Sequence, residues 1–238
     1  MPLSKEEFKY FQRQIILDEI KLEGLEQIQS NSVLIIGAGG LGCPLLLMCS
    51  GLGFKNIGIV DFDTVSIHNL HRQYLYNYDE INLSKTELAT KKITKRNPFI
   101  NVHTHNVLLD ESNVESIIQQ YDIIADGTDN FSTRYLVNDT CTKLNKPLVS
   151  GSIFKFTCQV GLFNFQGSKN LRDIFPEPPS PEEAPSCAEA GVANTVTTYC
   201  ASLMAQLILM IALNKAEYFK NKLLLSNLLT LEQKIIQY

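Results

Sequence analysis

Ser32-Val33-Leu34-Ile35-Ile36-Gly37-Ala38-Gly39-Gly40-Leu41-Gly42 is the stretch that decides the fold. Its opening run is apolar and β-branched, with the length of a buried strand. Gly37, Gly39 and Gly42 then satisfy G-x-G-x-x-G where the strand gives way to an apolar helical pattern over residues 41–52. Such a turn lets backbone N–H groups and a helix N-terminus receive phosphate oxygens, with Gly40 beside them. The next strand-like run, residues 57–60, leads into Asp61-Phe62-Asp63, a carboxylate placed where ribose hydroxyls are met in this arrangement. The fingerprint alone does not separate ATP from NAD. Its bland alternative is a set of glycines kept for helix–strand packing.

Working outward, strand-like runs at 101–106, 122–125 and 147–150 alternate with helical patterns at 85–96, 111–120 and 132–144. That alternation implies right-handed crossovers and a parallel sheet. The end of the chain differs: runs at 158–163, 223–229 and 232–236 follow one another as strands. The expectation is a Rossmann-like α/β fold, a mixed sheet of about eight strands with a parallel core and an antiparallel C-terminal extension. An amphipathic prelude over 8–28 precedes the first strand. Residues 166–186 carry Pro176, Pro178, Pro179, Pro181 and Pro185 and read as a long, exposed, mobile loop. With no repeat and no linker, residues 1–238 are expected to form one domain.

Composition narrows the function. The hydrophobic fraction is 45%, the charged fraction 19% and the net charge −4, so bulk binding to nucleic acid is not expected. The basic cluster Lys91, Lys92, Lys95 and Arg96 ends a predicted helix, where positive charge complements the helix dipole. The longest apolar stretch, 201–213, is too short to span a bilayer and reads as a buried helix, a candidate for a subunit interface; no membrane association is expected. The N-terminus has no apolar signal core, and the six cysteines form no C-x-x-C pair, so a cytoplasmic location with reduced thiols is expected. The richness in Ile, Asn and Lys leaves a plastid stroma open. His68, His71, His103 and His105 form no metal-like group, and His103 and His105 read as solvent-facing strand positions.

The residues beyond the glycine turn separate the two nucleotides. Asp61-Phe62-Asp63-Thr64-Val65 leads to His68-Asn69-Leu70-His71-Arg72-Gln73, then to Ser84-Lys85, and later to Asp126-Gly127-Thr128-Asp129-Asn130 with Arg134 a turn beyond. Hydride transfer leaves its cofactor's pyrophosphate intact and needs few charges beside it. Cleavage of ATP between its α- and β-phosphates needs cations for the leaving pyrophosphate and a carboxylate for Mg²⁺. These residues supply both.

The constellation resembles the family of adenylyltransferases that activate ubiquitin-like proteins, most closely the MoeB/ThiF type serving molybdopterin synthase and thiazole synthesis. The resemblance runs from Arg13-Gln14 to the terminal strands. It implies that Gly40 and its neighbours cradle the phosphates and that Asp61 holds the ribose. Asn69 and Arg72 would contact phosphate, and Lys85 would neutralise the triphosphate. Asp129 would bind Mg²⁺, and Asn130 would shape the site. Arg13 matches an arginine that reaches into the neighbouring subunit's site, which implies a homodimer. The substrate implied is the C-terminal Gly-Gly of a ubiquitin-like sulfur carrier, with molybdenum cofactor synthesis favoured over thiamine and with sulfur arriving from a separate donor.

Cys187 matches a cysteine that in some relatives bonds to the carrier; its plainer reading is a bystander thiol. Many relatives hold zinc on two C-x-x-C pairs; here the first region reads Asn170-Leu171-Arg172-Asp173, so zinc is not expected. Structural roles also stay open at this level for several of the site residues. Arg13, Arg72 and Lys85 could be solvated charges, Asp63 an anchor for the turn after it, and Asp129 a helix N-cap. Whole-chain competitors are a nicotinamide-dependent oxidoreductase and a non-catalytic scaffold.

Overall fold

The computed structural model describes residues 3–179 and 191–238. Its centre is an eight-stranded sheet in the order β3-β2-β1-β4-β5-β6-β7-β8. Strands β1 (Ser32–Ile36), β2 (Asn56–Val60), β3 (Asn101–His105), β4 (Ile123–Asp126) and β5 (Leu148–Phe154) pair in parallel. Strands β6 (Thr157–Phe163), β7 (Lys222–Asn227) and β8 (Glu232–Gln237) continue antiparallel. The mixed sheet anticipated from sequence is therefore present.

The continuous apolar run of β1 is explained by burial on both faces. Val33 and Ile35 point into a core shared with α3 (Gly42–Leu52), α4 (Lys85–Arg96) and α7 (Asn194–Ala212). Leu34 and Ile36 point the other way, to α5 (Val114–Ile118) and α6 (Phe131–Leu144). Side-chain direction alternates along a strand, so a strand covered on both sides loses the polar alternation of a surface strand.

Several boundaries differ from expectation. The prelude is two helices, α1 (Lys5–Ile15), capped by the Ser4 hydroxyl accepting from the Glu7 N–H, and α2 (Lys21–Ser30). The helix expected over 111–120 shrinks to α5, because the Asp110 carboxylate holds Ser112 by its N–H and hydroxyl and the Asn113 side chain grips Leu108. Helix α7 begins at Asn194, upstream of its apolar run, and at 19 residues is long and apolar enough to cross a membrane by length and composition. Its most apolar window is 61% buried inside the fold, where Val196, Cys200, Met204 and Ile208 meet the sheet and α3, so it is the core helix.

The described part of the Pro-rich segment, residues 166–179, is mostly exposed, as expected of a loop, and is tied to α6 at a few points. Leu171 is buried, Asn170 and Asp173 cap a single 3-10 turn, and the Leu171 N–H donates to Asn138. Arg172 grips Asp139 with Nε and Nη2 at 2.7 and 2.8 Å and lies over the Tyr135 ring. That contact holds the Asp139 carboxyl below its ordinary range. Residues 180–186, with Pro181 and Pro185, lie outside the described residues. His105 is also not a plain surface residue. It is half-buried, its Nε2 is 2.8 Å from the Tyr121 hydroxyl, and burial with the nearby His103 lowers its pKa.

Candidate active site

Neighbouring strands end together. Ile36 is in register with Val60 on one side and with Asp126 on the other, so the loops after β1, β2 and β4 leave the same rim of the sheet. Open α/β sheets place ligands at that rim.

The glycine turn is built by close approach. Gly37 sits at φ +94°, and its N–H donates to the Val60 carbonyl at 2.8 Å. A Cβ on Gly42 would lie 1.8 Å from the Gly37 carbonyl oxygen, so only glycine lets α3 start there. The N–H groups of Gly39 and Gly40 donate to no described residue. The Ala38 carbonyl, in contrast, receives both the Tyr76 hydroxyl at 2.9 Å and the Cys43 thiol at 3.2 Å. Burial pushes that thiol up to about 12, which leaves it a donor and not a nucleophile.

Asp61 binds the turn to the strand beside it. Its carboxylate accepts the Ala38 N–H at 2.6 Å and the Asp63 N–H at 2.8 Å. Anchoring Asp63 is thus the work of Asp61, whereas the Asp63 carboxylate takes the Lys85 ammonium at 2.8 Å. Lys85 follows the Ser84 cap of α4 and is 3% exposed. The surface reading of Lys85 fails on that burial.

Arg72 is partly buried and donates to Asn69 Oδ1 at 2.8 Å and to the His68 carbonyl at 3.1 Å. Its Cδ and Cγ lie 3.5 and 3.6 Å from the place a Cβ on Gly40 would take, and Thr197 Cγ2 lies 3.3 Å from it. Thr197 and Asn194 come from the first turn of α7, and Asn194 donates to the His71 carbonyl at 3.3 Å. Sequence reasoning missed these two and Tyr76. Tyr76 stands three residues past Gln73, but nothing in a local pattern points to α7.

Beyond β4, the fully buried Asp126 accepts from the Thr128 N–H and hydroxyl, from Ser150 and from Arg134 Nε at 3.1 Å. Arg134 Nη2 also donates to the Thr128 and Gly151 carbonyls at 2.8 and 3.0 Å. Arg134, counted from sequence among the charges near the phosphates, is instead a buried brace for this loop. Asp129, next along, is exposed and has no partner among the described residues. It does not cap α6: Asn130 does, its Oδ1 accepting the Thr133 N–H at 2.8 Å.

Arg13 is exposed in the last turn of α1 and unpartnered among the described residues. Helix α1 docks on the C-terminal end of α3, with Gln14 donating to the Leu52 carbonyl and Phe11 against Gly53. The glycine turn is at the other end of that 11-residue helix, roughly 16 Å away at 1.5 Å per residue. The fold does not bring Arg13 to its own chain's site. Cys187 lies outside the described residues.

A profile of the ThiF family matches residues 11–238. The chain belongs to the ThiF family. A probable molybdopterin-synthase adenylyltransferase of Porphyra purpurea is 41% identical over 231 residues, covering 96% of this chain and 60% of that protein. A sulfur carrier protein adenylyltransferase of Thermus thermophilus is 40% identical over 230 residues, covering 94% of this chain and 85% of that one. The chain spans about half the length of the first curated relatives it matches, 51% in three cases. Among solved structures, PaaA superposes with a TM-score of 0.83 at 17% identity over 99% of this chain and 74% of that one, a likeness of fold.

The ThiF-family site thus gathers, on one rim, a turn with N–H donors and a carboxylate that have no partner among the described residues, together with two cationic side chains. Among the described residues no cluster of three or more His, Cys, Asp or Glu side chains is poised to hold a metal. Asp129 nevertheless fits Mg²⁺, which is held by one or two carboxylates together with water and substrate phosphates.

Proposed function

We propose that the chain transfers AMP from ATP to the C-terminal glycine carboxylate of a ubiquitin-like sulfur carrier ending in Gly-Gly, in molybdenum cofactor synthesis. The observation that carries this reading is the shared rim of β1, β2 and β4, with Gly39 and Gly40 N–H groups that donate to no described residue, Arg72 beside Gly40, Lys85 on Asp63 after β2, and Asp129 without a partner among the described residues.

One carboxylate oxygen of the carrier attacks the α-phosphorus as the bond to the bridging oxygen of pyrophosphate breaks, giving an acyl-adenylate. The nucleophile is an anion at neutral pH, so no side chain has to remove a proton. The work is positioning and charge neutralisation. Gly37, Gly39, Gly40 and Gly42 shape the turn whose N–H groups receive the phosphates. Asp61 keeps a lone pair on each oxygen for the ribose hydroxyls. Asn69 orients Arg72 toward the phosphates, and Lys85 turns from Asp63 to the triphosphate. Asn130, capping α6, sets the direction of the loop that carries Asp129. Mg²⁺, held by Asp129, would supply charge neutralisation on the leaving pyrophosphate.

Arg13, remote from its own site, serves the site of a second copy in a homodimer. Sulfur reaches the acyl group from a separate donor protein, in a cytoplasmic compartment. Support comes from the names of the Porphyra and Thermus relatives and from the site chemistry.

ATP–pyrophosphate isotope exchange with purified protein, Mg²⁺ and carriers ending in Gly-Gly tests the proposal. Exchange with a molybdopterin-type carrier is expected. Exchange only with a thiazole-type carrier would move the enzyme to thiamine synthesis, and none with any carrier would overturn the catalytic reading.

A further inference from the structure

Four buried polar side-chain atoms have no partner among the described residues: Ser50 Oγ, Asn164 Nδ2, Tyr238 Oη and Gln73 Oε1. Ser50 stands in the last turn of α3, Asn164 just after β6 and Tyr238 at the end of the chain, all outside the glycine turn. Gln73 is at it. The residue is only 4% exposed, and its main chain is fixed by its N–H donating to Asn69 and its carbonyl accepting from Tyr76. Its Nε2 lies 3.4 Å from the place a Cβ on Gly39 would take. Arg72 stands in the same relation to Gly40. The pair Arg72-Gln73 therefore lies across the side-chain faces of Gly39-Gly40, one residue over each glycine.

An apolar side chain of the same length would fill that space without stranding an oxygen, so a buried carboxamide there needs a reason. The other polar groups around the turn are already engaged: Tyr76 with the Ala38 carbonyl, Asp61 with Ala38 and Asp63, Arg72 with Asn69. Of the buried side-chain atoms at the turn, Gln73 Oε1 is the one with no hydrogen-bond partner among the described residues.

We propose that Gln73 is a positioning residue of the nucleotide turn, its carboxamide completing its hydrogen bonds when the triphosphate is seated on Gly39 and Gly40. The missing side chain of Gly39 leaves the path from Nε2 to the phosphate open. The terminal torsion of glutamine is soft and two-fold, so the rotation that aims Nε2 also releases Oε1 from its unpartnered position. The inference rests on the ATP reading given above and adds a ligand contact to it.

The test is calorimetric titration of Mg·ATP and of adenosine into the wild-type chain, Gln73→Met and Gln73→Glu, with the melting temperature of each unliganded protein measured alongside. Gln73→Met should weaken ATP about tenfold, the worth of one hydrogen bond to a charged group, and leave adenosine unchanged. Its unliganded melting temperature should equal or exceed that of wild type, because the stranded oxygen is gone. Gln73→Glu, an anion facing phosphate, should weaken ATP further. Full ATP affinity in Gln73→Met, an equal loss for adenosine, or a lowered unliganded melting temperature or failure to fold would each overturn the inference and make Gln73 a structural filler. Failure of the wild-type chain to bind ATP would overturn the nucleotide reading itself.

Discussion

Replacing Arg134 by Met is the sharpest probe of how the Asp129 loop is held. The substitution keeps much of the side chain's length and removes three hydrogen bonds, to Asp126, Thr128 and Gly151. Asp126 has no exposed surface, so its carboxylate is left buried without its cation. Breaking a buried pair from one side costs about 3–5 kcal/mol. Across 238 residues the entropy of unfolding is about 0.5 kcal/mol per degree, so the melting temperature should fall by roughly 6–10 °C. Asp126→Asn in the same chain removes the stranded charge while an amide can still meet Ser150 and accept from Thr128, so the double variant should recover about half of that loss. Calorimetry on the four proteins of this cycle gives the coupling energy directly. A loss below about 1 kcal/mol in the single variant, or no recovery in the double, would refute the reading of this brace as a buried, mutually dependent pair.

Other substitutions separate chemistry from folding. Asp129→Ala touches an exposed carboxylate with no partner among the described residues, so pyrophosphate exchange should fall at least about a hundredfold while the melting temperature holds; a matching loss of stability would show that Asp129 supports the fold. Gly42→Ala places a methyl group 1.8 Å from the Gly37 oxygen, so the turn must open; ATP affinity should be lost, and retained ATP binding by calorimetry would contradict the geometry. His105 is held below its ordinary pKa by burial, so the unfolded chain takes up the proton first as pH falls. Stability should therefore decline from the unfolded histidine pKa, near pH ~6.5, down to the lower folded value. Urea midpoints across that range should show a decline in wild type that is smaller in His105→Phe; identical profiles would remove His105 as its source.

Strand β1 was legible because both of its faces are apolar, and the last two strands because no helix separates them in sequence. The roles of Gly37 and Gly42 were also readable, since each answers a backbone requirement that no other residue meets. The features that escaped depend on distant partners. The Lys85–Asp63 pair needs the intervening loop to fold back through the bridge between Thr64 and Ser84, which no local pattern announces. Asp129 and Asn130 are equal candidates to cap α6, and only the chain path chooses Asn130. Arg134 looked like a phosphate ligand because its charge is visible in sequence and its burial is not. The anchoring of residues 166–179 was hidden because proline content reports what a segment cannot form, whereas Tyr135, Asp139 and Asn138 on α6 decide where it lies.

The tip between β5 and β6 has a consequence for the order of folding. Lys155, at φ +53°, gives its carbonyl to the Ala193 N–H, where the chain returns before α7, and Phe156 gives its carbonyl to the Leu228 N–H, at the end of β7. The hairpin is local and closes quickly, whereas both of its guests arrive from far along the chain. The last fifth of the protein is thus tied at two points to a tip made from the middle. A lesion at Lys155 or Phe156 should therefore register as slower docking of α7 and the last two strands.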